Sequence, residues 1–262
     1  MHVPNRRRLV PALASALIAL AASAHADING FGNFTLNGTN PSVTGNTLQI
    51  TSQEQYFEAN SAFDANKQSI DAFDAHFTFQ LGPTTGDRTT DGFSPADGFA
   101  FVLQNNSATT VGDSGGFLGA DFGNSTALAF NIFGQKTVGT TVYSGGVTGG
   151  NDYNTTGDVD LASGHIIDVT LSYQHDVLTE ILTDTATDKI FTTTYATDIA
   201  SSVGGPNAYV GFTGGTGGGT SDQFIRDFSF TPQAVPEVST VVTFALLVVG
   251  GLIVLRRRST QS

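Results

Sequence analysis

The sequence predicts an all-β protein, an antiparallel sandwich or barrel, on three observations. Apolar and polar residues alternate with period two in many short segments, as strands with one buried face require. Gly, Asn, Asp, Ser and Thr cluster between those segments and supply turn chemistry. No amphipathic helical stretch of useful length lies between the two ends of the chain, so sheets must bury one another.

In chain order, the first candidate strand is Thr47–Thr51. In His76-Phe77-Thr78-Phe79-Gln80-Leu81 the apolar residues share one face. Phe99–Leu103 and Ala127–Phe133 follow. Ile167-Asp168-Val169-Thr170-Leu171-Ser172-Tyr173 alternates cleanly, with Ile, Val, Leu and Tyr on one side. Thr179–Thr183 and Ile190–Tyr195 flank the acidic "TDTATD" stretch, which is expected to be a hairpin turn and not a metal loop. Tyr209–Thr213 and Phe224–Phe230 flank the Gly-rich Thr213–Asp222, expected to be a surface loop.

The two ends stand outside this pattern. Residues 1–26 carry a basic start (Arg6, Arg7, Arg8), an apolar run and a small-residue site at Ala24-His25-Ala26. That is the layout of a secretory signal peptide, with the mature chain starting near Asp27. Val238 to Leu255 is uncharged and is followed by Arg256, Arg257 and Arg258. At ~1.5 Å per residue a helix there is just long enough to cross a bilayer core, with the arginines on the cytoplasmic side. Three units are expected: residues 1–26, one β domain over 27–234, and a tail over 235–262.

All 23 acidic residues lie between Asp27 and Glu237, against five basic ones: Lys67, Arg88, Lys136, Lys189 and Arg226. The domain is therefore more acidic than the whole chain, whose net charge is −12. Such a surface repels phosphate backbones, so no nucleic-acid partner is expected. Cysteine is absent, which excludes disulfides, Cys-ligated zinc and thiol chemistry. Twenty phenylalanines supply the core.

Gly112-Asp113-Ser114-Gly115-Gly116 has the form of a serine-protease nucleophile motif, and Asp74-Ala75-His76 could offer a base. The interval from His76 to Ser114 is far shorter than the roughly 140 residues separating base and nucleophile in the chymotrypsin order. His76 also lies in an alternating strand, which places it on a sheet face. No paired carboxylates of glycosidase type stand out, and Ala127–Phe133 holds no carboxylate at all. His76, His165 and His175 have no metal-ligand spacing. No catalysis is expected.

Several segments, in order, resemble the legume-type (L-type) lectins. "FTLNGTNPSVTGNTLQIT" (34–51) is similar to their opening strand pair, and "FDAHFTFQL" (73–81) to the strand before their first sugar-binding loop. "SPADGFAFVLQ" (94–104), with Ala96-Asp97-Gly98, is the most specific piece. "SGGFLGADF" (114–122) resembles their Gly-Gly-X-Leu-Gly loop, "ALAFNIF" (127–133) their metal-binding strand, and 208–230 their closing strands and specificity loop. The resemblance implies a concanavalin A-like jelly-roll sandwich of antiparallel sheets.

It also implies a sugar site. Asp97, after a cis peptide bond, would accept hydrogen bonds from sugar hydroxyls, and a Gly115 or Gly116 amide would donate one. Phe133 would stack on the sugar, with Gln135, Gly215 and Gly217 completing the edge. The family's Glu-Phe-Asp-X-Phe-X-Asn motif falls on Ala129, Phe130, Asn131, Ile132, Phe133, Gly134 and Gln135. Its transition-metal ligands have no counterpart, so no transition metal is expected, and calcium would rest on Asn131 and Gln135. A structural or adhesive matrix protein that kept the sandwich and lost sugar binding is the other expectation.

The tail resembles the PEP-CTERM sorting signal of Gram-negative bacteria. Val235, Pro236 and Glu237 precede the apolar span, and Arg256, Arg257 and Arg258 follow it. This implies membrane insertion, an exosortase-type sorting enzyme as partner, and an exported protein of the cell surface, outer membrane or extracellular polysaccharide and biofilm matrix. The function expected from the whole sequence is non-catalytic carbohydrate binding.

Overall fold

The computed structural model describes residues 27–82 and 95–233. The leader, the apolar span 238–255, and Val235, Pro236, Glu237, Arg256, Arg257 and Arg258 lie outside the described residues. Among the described residues no helix is long and apolar enough to cross a membrane.

The first half of the fold holds β1 (Ile28–Asn29), β2 (Phe34–Gly38), β3 (Ser42–Thr44), β4 (Thr47–Thr51), β5 (Ala59–Asp64), β6 (Gln68–Ser69), β7 (Phe73–Leu81) and β8 (Gly98–Gln104). The second half holds β9 (Ser125–Asn131), β10 (Gly139–Ser144), β11 (Asn154–Thr155), β12 (Ile167–Gln174), β13 (Val177–Asp184), β14 (Lys189–Ala196), β15 (Asn207–Gly215) and β16 (Gln223–Pro232). They form two antiparallel sheets. One runs β14-β13-β12-β7-β16-β4-β3, with β1 on β16; the other runs β11-β10-β9-β8-β15-β5-β2, with β6 on β15. The all-β expectation holds, and the architecture is the jelly-roll sandwich.

The alternation in β7 explains its place. Phe73, Ala75, Phe77, Phe79 and Leu81 are buried, while Asp74 is exposed and His76, Thr78 and Gln80 are half-buried. Facing them across the sandwich are Phe99 and Phe101 of β8, Phe130 of β9 and Phe212 of β15. Phe99 stacks on Phe130 at 4.6 Å between centroids, and Phe77 meets Phe212 edge-on at 5.0 Å. Such pairs contribute ~0.5–1.5 kcal/mol each beyond their burial.

β8 and β9 are buried along their whole length, so their second face must also be covered. A smaller apolar cluster covers it: Leu118, Ala120, Tyr143, Val147 and Tyr153 pack with Ala100, Val102, Ala127 and Ala129. Apart from Tyr143 of β10, those covering residues belong to the loops at 105–124 and 145–153, the first of which carries Gly115 and Gly116, so the site rests on the outer face of the second sheet. A short helix, α1 (Ile199–Val203), is capped by Asp198, which accepts from the Ser201 N–H. It buries Ile199 and Val203.

Each strand expected from the alternation is present. The segment 127–133 alone ends early: β9 stops at Asn131, and Ile132 and Phe133 enter the next loop. The turn expected at 183–188 is a hairpin between β13 and β14, with the Asp188 N–H donating to Asp184 O at 2.8 Å.

Candidate functional site

The Ala96–Asp97 peptide bond is cis, as the resemblance implied. Both backbone groups of Asp97 are fixed by strand ends. Its N–H donates to Gly215 O at 3.1 Å, and its carbonyl accepts from the Ile132 N–H at 3.0 Å. The Ser221 hydroxyl donates to Ala96 O at 3.2 Å. The carboxylate is thereby held at the junction of β8, β9 and β15, only 7% exposed.

Asp97 Oδ2 is buried and has no donor. Burial pushes the Asp97 pKa up to about 6, against the opposing charge of Lys136 and the Gly217 N–H dipole. That N–H also donates to Gly219 O at 3.2 Å. A buried acceptor without a partner costs ~1–3 kcal/mol, which a donor-bearing ligand would return.

The loop after β8 brings Gly115 beside that oxygen, a Cβ there lying 3.9 Å from Asp97 Oδ2, and Gly116 follows it in the chain, next to Lys136 and Gly149. Gly115 has φ +65, a conformation side chains rarely adopt, and its N–H donates to Thr216 O at 2.9 Å. The Gly115 amide is therefore spent inside the protein. Gly116, in the first turn of the 3-10 segment Gly115–Phe117, offers the amide that this scheme leaves over. Phe117 is 39% exposed beside it.

The loop after β15, expected at the surface, is instead drawn inward: Thr216, Thr220 and Ser221 are buried. The segment 51–58 holds it. Thr216 Oγ1 donates to Gln55 O at 2.9 Å and accepts from the Glu58 N–H at 2.9 Å. Thr220 Oγ1 donates to Gln53 O, and the Phe57 N–H to Gly217 O. Gly217 is thus placed over Asp97, and Gly215 lies behind it.

The loop 132–137 completes the rim. Phe133 is half-buried, Gln135 is exposed and Lys136 is half-buried. Lys136 Nζ donates to Gly149 O at 2.7 Å, and a Cβ on Gly116 would meet that nitrogen at 2.6 Å. The ammonium therefore lies across Gly116 and within electrostatic reach of Asp97. Composition offered a signal for it: Lys136 is one of only five basic residues in the acidic region.

The residues at the expected metal position fit a cation poorly. Asn131 is buried, and its amide nitrogen donates to Phe133 O at 3.2 Å and Thr137 O at 2.9 Å. A donor group, not an oxygen, faces the loop carbonyls. Among the described residues no three His, Cys, Asp or Glu side chains gather to hold a metal ion.

The protease arrangement does not assemble. His76 pairs with Asp168 at 2.8 Å across β7 and β12 in the first sheet. Ser114 caps the 3-10 segment in a loop of the other sheet and makes no side-chain capping bond. His165 is bound to Asp184 at 2.9 Å, and His175 sits in the β12–β13 turn.

Among solved structures, lectin II from Ulex europaeus has 19% identity and a TM-score of 0.65, over 80% of this chain and 99% of its own. The lectin from Bauhinia forficata, determined in complex with GalNAc, has 21% identity and a TM-score of 0.64, over 79% and 97%. Arcelin-5, a lectin-like defence protein from Phaseolus vulgaris, has 18% identity and a TM-score of 0.63, over 80% and 99%. These likenesses establish the fold. No curated protein sequence matches the chain. The model of the legume lectin domain matches residues 23–242, most of the chain, and the protein belongs to the legume lectin domain family.

Proposed function

We propose that this chain is an exported, non-catalytic lectin that binds carbohydrate at the edge formed by Asp97, Gly115, Gly116 and Gly217. The observation that carries this reading is Asp97 Oδ2, a buried acceptor without a donor beside two glycine-rich loops. A sugar hydroxyl donates to that oxygen, and the Gly116 N–H donates to a second sugar oxygen. Apolar sugar faces have Phe117 and Phe133 at the rim to rest on. Gly215 serves through its carbonyl, which fixes Asp97. Gln135, exposed on the rim, adds an amide.

Family membership supports the reading. So do relatives with the same fold whose structures hold GalNAc or galactose. Export is supported by the leader over 1–26. Sorting by an exosortase-type enzyme to the cell surface or polysaccharide matrix of a Gram-negative bacterium is supported by Val235-Pro236-Glu237, the span 238–255 and Arg256-Arg257-Arg258. A glycan array probed with the full-length protein and with its Asp97→Ala variant tests the reading. Retention by the wild type alone supports it, whereas equal retention by both removes it.

A further inference from the structure

The loop 132–137 is already wired by protein donors. The Phe133 carbonyl accepts twice, from Asn131 Nδ2 at 3.2 Å and from the Lys136 N–H at 3.0 Å. A carbonyl oxygen has two lone pairs, so both are used. The second Asn131 amide hydrogen goes to Thr137 O at 2.9 Å. Asn131 thus gathers two backbone oxygens from inside the loop, which is the task a hard cation performs with oxygen ligands. Lys136 adds the missing positive charge. Its ammonium is anchored on Gly149 O at 2.7 Å, lies across Gly116, and acts on the Asp97 carboxylate.

We propose that this site is organised without calcium, the Asn131 amide and the Lys136 ammonium replacing the ion as structural donor and local positive charge. The inference rests on the carbohydrate-binding reading only for what the site finally holds. Its structural content is independent of any sugar. It further makes Lys136 a contact for the ligand bound at Asp97 and Gly116, one that favours sugars presenting an electron-rich oxygen or an acidic group there.

The test is calorimetric titration of calcium chloride into full-length protein stripped with chelator, with thermal unfolding followed in calcium and in EDTA. The wild type is expected to take up no calcium and to melt at one temperature in both buffers. Asn131→Asp removes the donor and sets a carboxylate against two carbonyls. It is expected to lower Tm by roughly 5 °C in EDTA, with calcium restoring part of the loss. Lys136→Met is expected to weaken glycan binding about tenfold, equally in calcium and EDTA. Stoichiometric calcium uptake by the wild type with a rise in Tm overturns the inference, whether or not a glycan is found. A calcium-blind wild type that binds no glycan leaves the inference standing and removes the lectin reading instead.

Discussion

Gly217 stands directly over the open oxygen of Asp97: a Cβ at position 217 would lie 2.8 Å from Asp97 Oδ2. The distance is shorter than side-chain carbons tolerate, and the obstructing atom is the one left for a ligand. Two loops far apart in sequence thus share one small space, and the absent side chain of one keeps the acceptor of the other open. The relationship also explains why the loop after β15 is drawn inward onto the segment 51–58. A loose loop could not hold Gly217 at that distance.

Gly217→Ala is therefore expected to lower glycan affinity by at least ~10-fold, because the methyl group occupies the space a hydroxyl needs. The fold should change little, since position 217 is only partly buried. Parallel glycan-binding isotherms and thermal melts separate the two effects. A variant with wild-type affinity would show that ligand approaches Asp97 from another side.

Asp97→Ala removes the acceptor outright. Binding is expected to fall by more than ~100-fold. Stability should hold or rise slightly, because the change also removes a buried carboxylate with an unfilled oxygen. Circular dichroism melts of both proteins check this. A large loss of Tm would assign Asp97 a structural role.

Glu180 predicts how stability responds to pH. It is fully buried, its Oε2 accepts from Thr140 Oγ1 at 2.9 Å and from Tyr195 OH at 3.0 Å, and burial pushes its pKa up to about 7. The folded state therefore holds the proton more tightly than the unfolded chain does. The stability this group contributes is complete below pH ~4.5 and is lost as pH rises toward about 7. The slope is at most on the order of 1 kcal/mol per pH unit. Glu180→Gln keeps an acceptor for Thr140 and Tyr195 without the charge, so it should flatten that decline. Urea unfolding at pH 5 and pH 8 reads the difference directly, and an unchanged slope in the variant would place the titration elsewhere.

Phe99→Ala opens the centre of the aromatic core. Phe99 is stacked on Phe130 at 4.6 Å and meets Phe79 edge-on at 5.0 Å. The loss is expected to be ~3–5 kcal/mol, a fall in Tm of roughly 10 °C for a domain of this size. Differential scanning calorimetry measures it. Because β8 runs directly from Gly98 beside Asp97, glycan binding should weaken as well.

Much of the fold was legible in the sequence because sheets repeat with period two. β7 and β12 bury one face, and their alternation states which. Strands that alternate weakly were harder to see. β5 reads Ala-Asn-Ser-Ala-Phe-Asp and is buried almost throughout, while β10 reads Gly-Thr-Thr-Val-Tyr-Ser and buries Gly139, Thr140 and Tyr143; neither presents a regular apolar face. β9 ends at Asn131 although Ile132 and Phe133 both have strand propensity. The Asn131 side chain, bonded to Phe133 O and Thr137 O, turns the chain away there.

Of the candidate site, Asp97, Gly115, Gly116, Gly215 and Gly217 do come together. Their roles differ once bonds are assigned. Gly115 spends its amide on Thr216, and Gly215 offers its carbonyl to Asp97. For Lys136 the sequence offers scarcity alone, one of five basic residues in the acidic region, and scarcity does not say what the side chain touches. Only its anchor on Gly149, a loop away, gives it a place.

By itself, the sequence determined what local chemistry can determine: strand periodicity, the phenylalanine supply for a core, the acidic surface, and the order of the loop motifs. Tertiary structure decided which donors are already spent and which acceptor is left open. That division has a physical reason. Periodicity is a property of neighbouring residues along the chain, whereas the unpaired state of Asp97 Oδ2 depends on where the loops around Gly115, Lys136 and Gly217 come to rest.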